Sequence, residues 1–197
     1  MIDNADAVKL LDSKRDGAIF VATMNANNVH FGLPTVTSNE KLDFPVSGAM
    51  SKAGDVALGL ALAQPDRKIL CLDGDGSLLM NLGAMVTISN KAPKNLVHVL
   101  FNNNVYAVTG GQPIPGSEQV DWEDMAKSAG YAKVLSFDNL EDMANGIDEA
   151  LSAVGPVFVH LLVKPEIENT PVQFRTPAKR TGHTALADMP ETLGVKR

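Results

Sequence analysis

Cysteine occurs once in 197 residues, so no internal disulfide can staple the fold and no iron–sulfur cluster can be ligated within the chain. That cysteine, Cys71, lies inside the apolar run Ile69 to Leu72, which marks it as a buried strand residue rather than a nucleophile or metal ligand. Long apolar runs are missing as well. No stretch approaches the roughly 18 residues that would cross a bilayer, and the first residues carry Asp3 and Asp6 instead of a basic segment leading into an apolar one. A soluble, cytoplasmic protein with no membrane partner is expected. Basic excess is absent too: the net charge is −6, aromatic residues make up 5% of the chain, and no stretch interleaves Lys or Arg with aromatic rings. Such a chain has nothing with which to track a nucleic-acid backbone, and nucleic acid is not expected as a partner.

What the chain has is enough apolar matter for one sizeable core, since 45% of its residues are hydrophobic. Ala7, Val8, Leu10 and Leu11 share a helical face, Ala18 to Ala22 reads as a buried strand, and Thr23 to Pro45 as a long loop region at that strand's end. A helix of small and apolar residues follows from Ala53 to Gln64, closed by Gln64-Pro65-Asp66, and then a strand from Lys68 to Leu72. Ser77 to Asn90 has helical spacing, with Ser77 as N-cap and Ala92-Pro93 as its break, and Leu96 to Phe101 is the next strand. Gly110 to Gly116 is a loop. Helices are expected over Asp121 to Ala129 and Asp138 to Val154, the second opened by a capping box of Asp138 and Glu141, with strands at Ala132 to Leu135 and Val157 to Val163.

Strands that are apolar throughout, alternating with amphipathic helices, imply an α/β fold: a doubly wound, mainly parallel sheet with helices on both faces, which binds ligands at the carboxyl ends of its strands. This domain takes residues 1–163. From Lys164 to Arg197 the chain has Pro165, Pro171, Pro177 and Pro190 and little periodicity, so an extended C-terminal tail is expected, wrapping a neighbouring subunit or partly disordered.

Two motifs fall at expected strand ends. Gly74-Asp75-Gly76-Ser77 follows one apolar run, and Asn102-Asn103-Asn104 follows the next. A carboxylate and a carboxamide at neighbouring strand tips are hard oxygen ligands of the kind Mg²⁺ takes, the rest of its shell coming from water and phosphate. Small residues opening a helix, here Gly76 and Ser77, offer a diphosphate backbone N–H groups and the positive end of the helix dipole. Either motif alone is weak, because Asp-Gly is an ordinary turn dipeptide. Their order along the chain, one helix and one strand apart, makes them specific.

The pair resembles the signature of thiamine diphosphate enzymes, in which GDG is followed one strand later by an Asn pair. The resemblance implies the thiamine diphosphate-binding fold, with thiamine diphosphate and Mg²⁺ as cofactors. It implies Asp75, Asn103 and the backbone carbonyl of Val105 as metal ligands, and Gly74, Gly76 and Ser77 as the diphosphate cradle; in the family the position of Val105 is frequently glycine. Gly48-Ala49-Met50 is similar to the family segment that meets the aminopyrimidine, with Met50 as the apolar wedge beneath the bent cofactor and the Gly48 carbonyl accepting from its amine. Without that resemblance Met50 reads as a core methionine. Tyr106 either lies over the diphosphate side of the cleft or simply packs in its loop.

Asp73 to Met80, together with Gly110-Gly111-Gln112-Pro113, resembles the beta subunit of sulfopyruvate decarboxylase and the matching half of phosphonopyruvate decarboxylase, over about residues 5–165. That likeness implies a 2-oxo acid substrate carrying a sulfonate or phosphonate, with Gly110, Gly111 and Gln112 near it. Gly48 to Lys52 and Asn104 to Val108 depart from the family's versions, which leaves the particular substrate open. In the family the glutamate that bonds the aminopyrimidine ring belongs to a separate pyrimidine-binding domain. A chain with room for one domain would take it from a pyrimidine-binding, alpha-type subunit, in a hetero-oligomer such as α2β2 or larger, and no catalytic residue is assigned within this chain.

Three alternatives accompany this reading: a carboligase subunit of the acetolactate synthase kind, a 2-oxoacid:ferredoxin oxidoreductase, which the single cysteine disfavours, and a non-catalytic scaffold subunit that keeps the fold. Among the histidines, His98 and His160 sit inside apolar strand runs and read as satisfied core residues. His30, in the loop after the first strand, is either solvated or faces the cleft, and His183 reaches a site only if the tail folds over one.

Overall fold

The computed structural model describes residues 1–195. Helix α1 (Asn4–Ser13) leads into β1 (Ile19–Ala22), followed by three short 3-10 turns and strand β2 (Asp43–Pro45). Then come α2 (Ala53–Ala63), β3 (Ile69–Gly74), α3 (Asp75–Leu79), α4 (Gly83–Lys91), β4 (Leu96–Asn102) and the short strands β5 (Val105–Tyr106) and β6 (Gln112–Pro113). The chain continues through α5 (Trp122–Ala129), β7 (Lys133–Phe137), α6 (Leu140–Ser152), β8 (Val157–Leu162) and α7 (Gly182–Thr192). Six strands form one sheet in the order β2-β1-β3-β4-β8-β7, every pairing parallel, while β5 and β6 make a separate antiparallel pair.

The doubly wound layout follows from strands that are apolar on both faces. Along β3, Leu70 and Leu72 join a core with Val8, Leu11, Met143 and Ile147 of α1 and α6, whereas Ile69 and Cys71 join a second core with Ala57, Ile88 and Ala126 of α2, α4 and α5. The small residues of α2 bring it close to its neighbours: a Cβ on Gly54 would stand 3.5 Å from Ile88 and 3.8 Å from both Ala84 and His98. Among the described residues no helix is long and apolar enough to cross a membrane.

Four local expectations are corrected. The loop expected from Thr23 to Pro45 ends in β2, which pairs with β1 through Phe20 and Asp43, Val21 and Phe44, Ala22 and Pro45; three residues are too few to print a period. The helix expected from Ser77 to Asn90 is broken into α3 and α4, and Gly74, not Ser77, holds the N-cap position. In the break Asn81 donates to the Ser51 carbonyl at 3.3 Å and to Asp55 at 3.0 Å, committing the turn to the start of α2 and the residue Ser51 just before it. Helix α6 is capped by Asn139, whose side chain accepts from the Asp142 N–H at 2.9 Å, instead of by Asp138 with Glu141; Asp and Asn cap about equally well, so adjacent candidates compete.

The fourth correction concerns the segment from Lys164, which is not extended throughout. It carries α7, opened by a reciprocal cap in which Thr181 and Thr184 each accept the other's backbone N–H. Ala185 and Met189 are buried, Met189 in the α2-side core, and Arg180 donates to the Asp43 carbonyl at 2.7 Å. Two buried positions and an internal Pro190 leave too little periodicity to read from sequence. This helix packs on its own chain; residues 196 and 197 of the expected tail lie outside the described residues.

Candidate functional site

The carboxyl ends of β1, β3 and β4 open onto one cleft, the position a parallel sheet offers a ligand. Its walls are Thr23 to Ala26 after β1, Asp73 to Ser77 at the end of β3, and Asn103 with Val105 to Thr109 after β4, completed by Met50 and Phe101.

Asp75 sits at the centre, 3% exposed. Its Oδ1 accepts the N–H of Gly76 at 2.8 Å, and its Oδ2 accepts those of Asn103 at 3.0 Å and Asn104 at 2.6 Å. One carboxylate therefore ties the tip of β3 to the turn after β4. Asn104 presents its amide from a left-handed conformation, φ 61°, which asparagine tolerates better than most residues. Asn103 Oδ1 accepts the N–H of Val105 at 3.1 Å. Among the described residues no Lys, Arg or His makes an ion pair with Asp75, and burial pushes its carboxyl up to about 6 in spite of the amide donors. A buried carboxylate held by amides alone lacks a cation.

The glycine amides of the motif are spent locally. Gly74 N–H donates to Asp73 Oδ1 at 2.9 Å, as Gly76 N–H does to Asp75. Ser77 Oγ, 1% exposed, accepts the N–H of Ser51 at 3.0 Å, so this hydroxyl fixes the 48–51 segment. Met50 is thereby brought to the cleft wall, while Gly48 and Ala49 are exposed and outside the lining.

The Tyr106 ring lies on Gly76. A Cβ there would stand 2.6 Å from Cε1 and 2.9 Å from Cδ1 of the ring, and 3.1 Å from Ile114 Cδ1. Gly76→Ala should therefore cost about 1–3 kcal/mol by overpacking, and Tyr106→Ala in the same chain should recover part of that loss in denaturant midpoints. Strictly additive losses would show that ring and glycine are uncoupled.

Asp75, Asn103, Val105, Tyr106, Met50, Gly74, Gly76 and Ser77 all line the cleft; Gly110, Gly111 and Gln112 lie outside the lining, in the turn that follows Thr109, where Gln112 Nε2 donates to the Thr109 carbonyl at 2.8 Å. The wall from Thr23 to Ala26 was not read from the sequence. Its signal was its place after the first strand, on one flank of the ligand end of the sheet, but neither the φ of 49° at Met24 nor the burial of Asn25 is written in the pattern. Asn25 Nδ2 donates to the Glu166 carbonyl at 3.0 Å, and its Oδ1 is buried with no hydrogen-bond partner.

The histidines fall as core or surface residues. His98 is fully buried, with Nδ1 2.8 Å from the Tyr131 hydroxyl and Nε2 3.4 Å from Asp73 Oδ2. Cys71, Asp73 and His98 bring ligand atoms within 4.8 Å of one another, yet both imidazole nitrogens are engaged, and burial pushes the Cys71 thiol well above its ordinary value. His160 lies between Ser136 Oγ at 3.0 Å and Asn102 Nδ2 at 3.1 Å, its pKa lowered by burial. His30 and His183 are exposed and do not line the cleft.

The family described as thiamine pyrophosphate enzyme, C-terminal TPP binding domain, matches residues 22–161. Phosphonopyruvate decarboxylase of Streptomyces viridochromogenes is 36% identical over 156 residues, which is 79% of this chain and 38% of that protein. Sulfopyruvate decarboxylase subunit beta of Methanothermobacter thermautotrophicus is 41% identical over 129 residues, 66% of each chain. Among solved structures, the thiamine diphosphate-dependent 4-hydroxybenzoylformate decarboxylase of Rhodococcus jostii RHA1 superposes with a TM-score of 0.69 at 21% identity, over 85% of this chain and 33% of that one. At that identity the likeness speaks for the fold.

Proposed function

This chain belongs to the thiamine pyrophosphate enzymes, as a domain of the C-terminal TPP-binding kind, and on that premise we propose that it is the diphosphate-binding, beta-type subunit of a thiamine diphosphate- and Mg²⁺-dependent 2-oxo acid decarboxylase. The observation that carries the reading is Asp75: a carboxylate buried at the joint of two strand tips, oriented by three backbone N–H groups and, among the described residues, in no ion pair. A carboxylate has about four lone-pair sites, so the three amides leave room for a metal.

The residues present suit the group. Asp75, Asn103 and the Val105 carbonyl would hold Mg²⁺; Gly74, Gly76, Ser77 and Tyr106 would border the diphosphate; Met50 would stand beneath the cofactor, with Gly48 and Ala49 toward the aminopyrimidine. Thiamine diphosphate, when bound, supplies the electron sink for loss of CO₂ from a 2-oxo acid. The chain's own part is to neutralise, orient and exclude water: Met50, Phe101, Val105 and Tyr106 give the cleft an apolar lining around the buried Asp75, which strengthens every polar contact made there. The Ser77 to Ser51 bond holds Met50 at its station.

The names of the relatives support a sulfopyruvate- or phosphonopyruvate-like substrate, with Gly110, Gly111 and Gln112 on its side of the cleft, and the name of a beta subunit supports an alpha-type partner. That partner would contribute the pyrimidine-binding domain and its glutamate, in a hetero-oligomer such as α2β2. Co-expressed with such a subunit, the chain should retain thiamine diphosphate and release CO₂ from sulfopyruvate or phosphonopyruvate faster than from pyruvate, and the chain alone should release none. Cofactor retention with no CO₂ from any of the three acids defeats the decarboxylase reading, and a carboligation product in its place selects the acetolactate synthase-like alternative.

A further inference from the structure

All strands of the sheet end on the same edge. The chain leaves that edge at Leu162, the end of β8, fifth in the strand order, and next packs as α7 beside β2, first in the order. It must therefore cross the carboxyl ends of β4, β3 and β1, where the cleft opens, and its contacts mark the crossing. At the start, Lys164 N–H donates to the Ile2 carbonyl at 2.9 Å. Asn25 Nδ2 then donates to the Glu166 carbonyl at 3.0 Å, and Glu168 N–H donates to the Ala107 carbonyl at 2.9 Å. Ile167 lies flat on Gly111, where an added Cβ would stand 2.5 Å from its Cδ1. Arg175 Nη2 donates to the Val108 carbonyl at 3.1 Å while its Nε donates to the Thr170 carbonyl at 2.8 Å. Arg180 on the Asp43 carbonyl closes the path.

The crossing segment thus touches both walls of the cleft: Asn25 on the β1 side, Ala107 and Val108 on the β4 side. The loop it meets is tied within itself by Gly111 N–H on the Tyr106 carbonyl at 3.0 Å and by Gln112 on Thr109, but Gly110 and Gly111, at φ 110° and 80°, have no side chain to anchor it to the rest of the cleft. We propose that residues 166–175 are a strap that fixes the Ala107–Gln112 loop as the substrate wall of the cleft, setting how tightly the 2-oxo acid is held while metal and cofactor binding stay with the strand tips. The substrate in this statement rests on the decarboxylase reading; the strap itself rests on the contacts. Glycine at 111 is required twice over, by its positive φ and by the isoleucine above it.

Most of the strap's bonds are made by main-chain atoms, so Ile167 and Arg175 are where side-chain substitution can cut it. Ile167 is 40% exposed, and its loss leaves the core untouched. In the full chain with its partner subunit, Ile167→Ala combined with Arg175→Ala should raise KM for the 2-oxo acid about tenfold, with kcat and thiamine diphosphate affinity changed by less than about twofold. In the chain alone, amide exchange at Val108 to Gln112 should accelerate while β3 and β4 keep their protection. Unchanged exchange in that loop overturns the strap whatever the activity, and faster exchange with an unchanged KM overturns its role toward substrate. A wild-type assembly that releases no CO₂, beside a variant whose loop exchanges faster, supports the strap and defeats the decarboxylase reading instead.

Discussion

Asp75→Asn should weaken Mg²⁺-dependent binding of thiamine diphosphate by about 100-fold or more, beyond what loss of an outer-shell partner of a metal does, and leave the unliganded chain as stable as before to within about 1 kcal/mol. The two halves of this expectation have one cause. Burial raises the Asp75 carboxyl from 3.8 to about 6, so the folded chain holds that proton more tightly than the unfolded chain. Stability from this group is fully present below about pH 4 and is lost as pH rises through about 6, leaving a cost of roughly 3 kcal/mol at neutral pH at about 1.4 kcal/mol per unit. The amide removes that cost. Its oxygen still accepts from Asn103 and Asn104, and its NH₂ then faces the Gly76 N–H, which forfeits about 1–3 kcal/mol. A divalent cation, by contrast, needs the charge the variant has lost. Titration calorimetry of the complex and denaturant unfolding of the chain alone read the two quantities separately. Wild-type cofactor and metal affinity in Asp75→Asn would remove Asp75 from the metal site.

Gly32→Ala should destabilise the chain by about 3 kcal/mol or more, at the upper end of overpacking effects. Its backbone, at φ −106°, is open to any residue, so glycine is there for space. An added Cβ would overlap the amide nitrogen of Asn28 and stand 2.7 Å from the carbonyl oxygens of Ala26 and Asn25. All three obstacles are main chain, and none can swing aside as a side chain does. The loop is pinned besides: Gly32 N–H donates to the Asn28 carbonyl at 2.8 Å, and Asn4 Nδ2 donates to the carbonyls of Asn25 at 3.2 Å and Phe31 at 2.9 Å. Relief requires the turn to open, which displaces the Thr23 to Ala26 wall, so cofactor affinity should fall along with the unfolding free energy. A loss under about 1 kcal/mol with unaltered cofactor binding would mean that this wall yields freely and does not shape the cleft.

The alternation of buried strands and helices, the parallel sheet and the two strand-end motifs were all legible in the sequence. The reason is local: a parallel strand covered on both faces is apolar at every position, as Ile69 to Leu72 is, and a turn that must leave a strand tip and carry a carboxylate is written in adjacent residues. Short or degenerate signals hide β2 with its three residues, α7 with its two buried positions, and the choice between the Asp138 and Asn139 caps standing side by side. Asp75 and Asn103 could be named from the chain, but that the Asp75 carboxylate accepts the Asn103 and Asn104 amides, that Ser77 serves Ser51, and that Tyr106 forbids a side chain at Gly76 could not. Asn25 and Glu166, 141 residues apart, share no period that announces their meeting. The sequence alone determined the order of the long strands and helices and the chemistry available at the β3 and β4 tips, because both arise between neighbours along the backbone. Which walls face that chemistry, which glycines are crowded and where the last segment crosses were decided only when packing brought distant residues together, since closing a long loop leaves its partners unconstrained by anything within the loop itself.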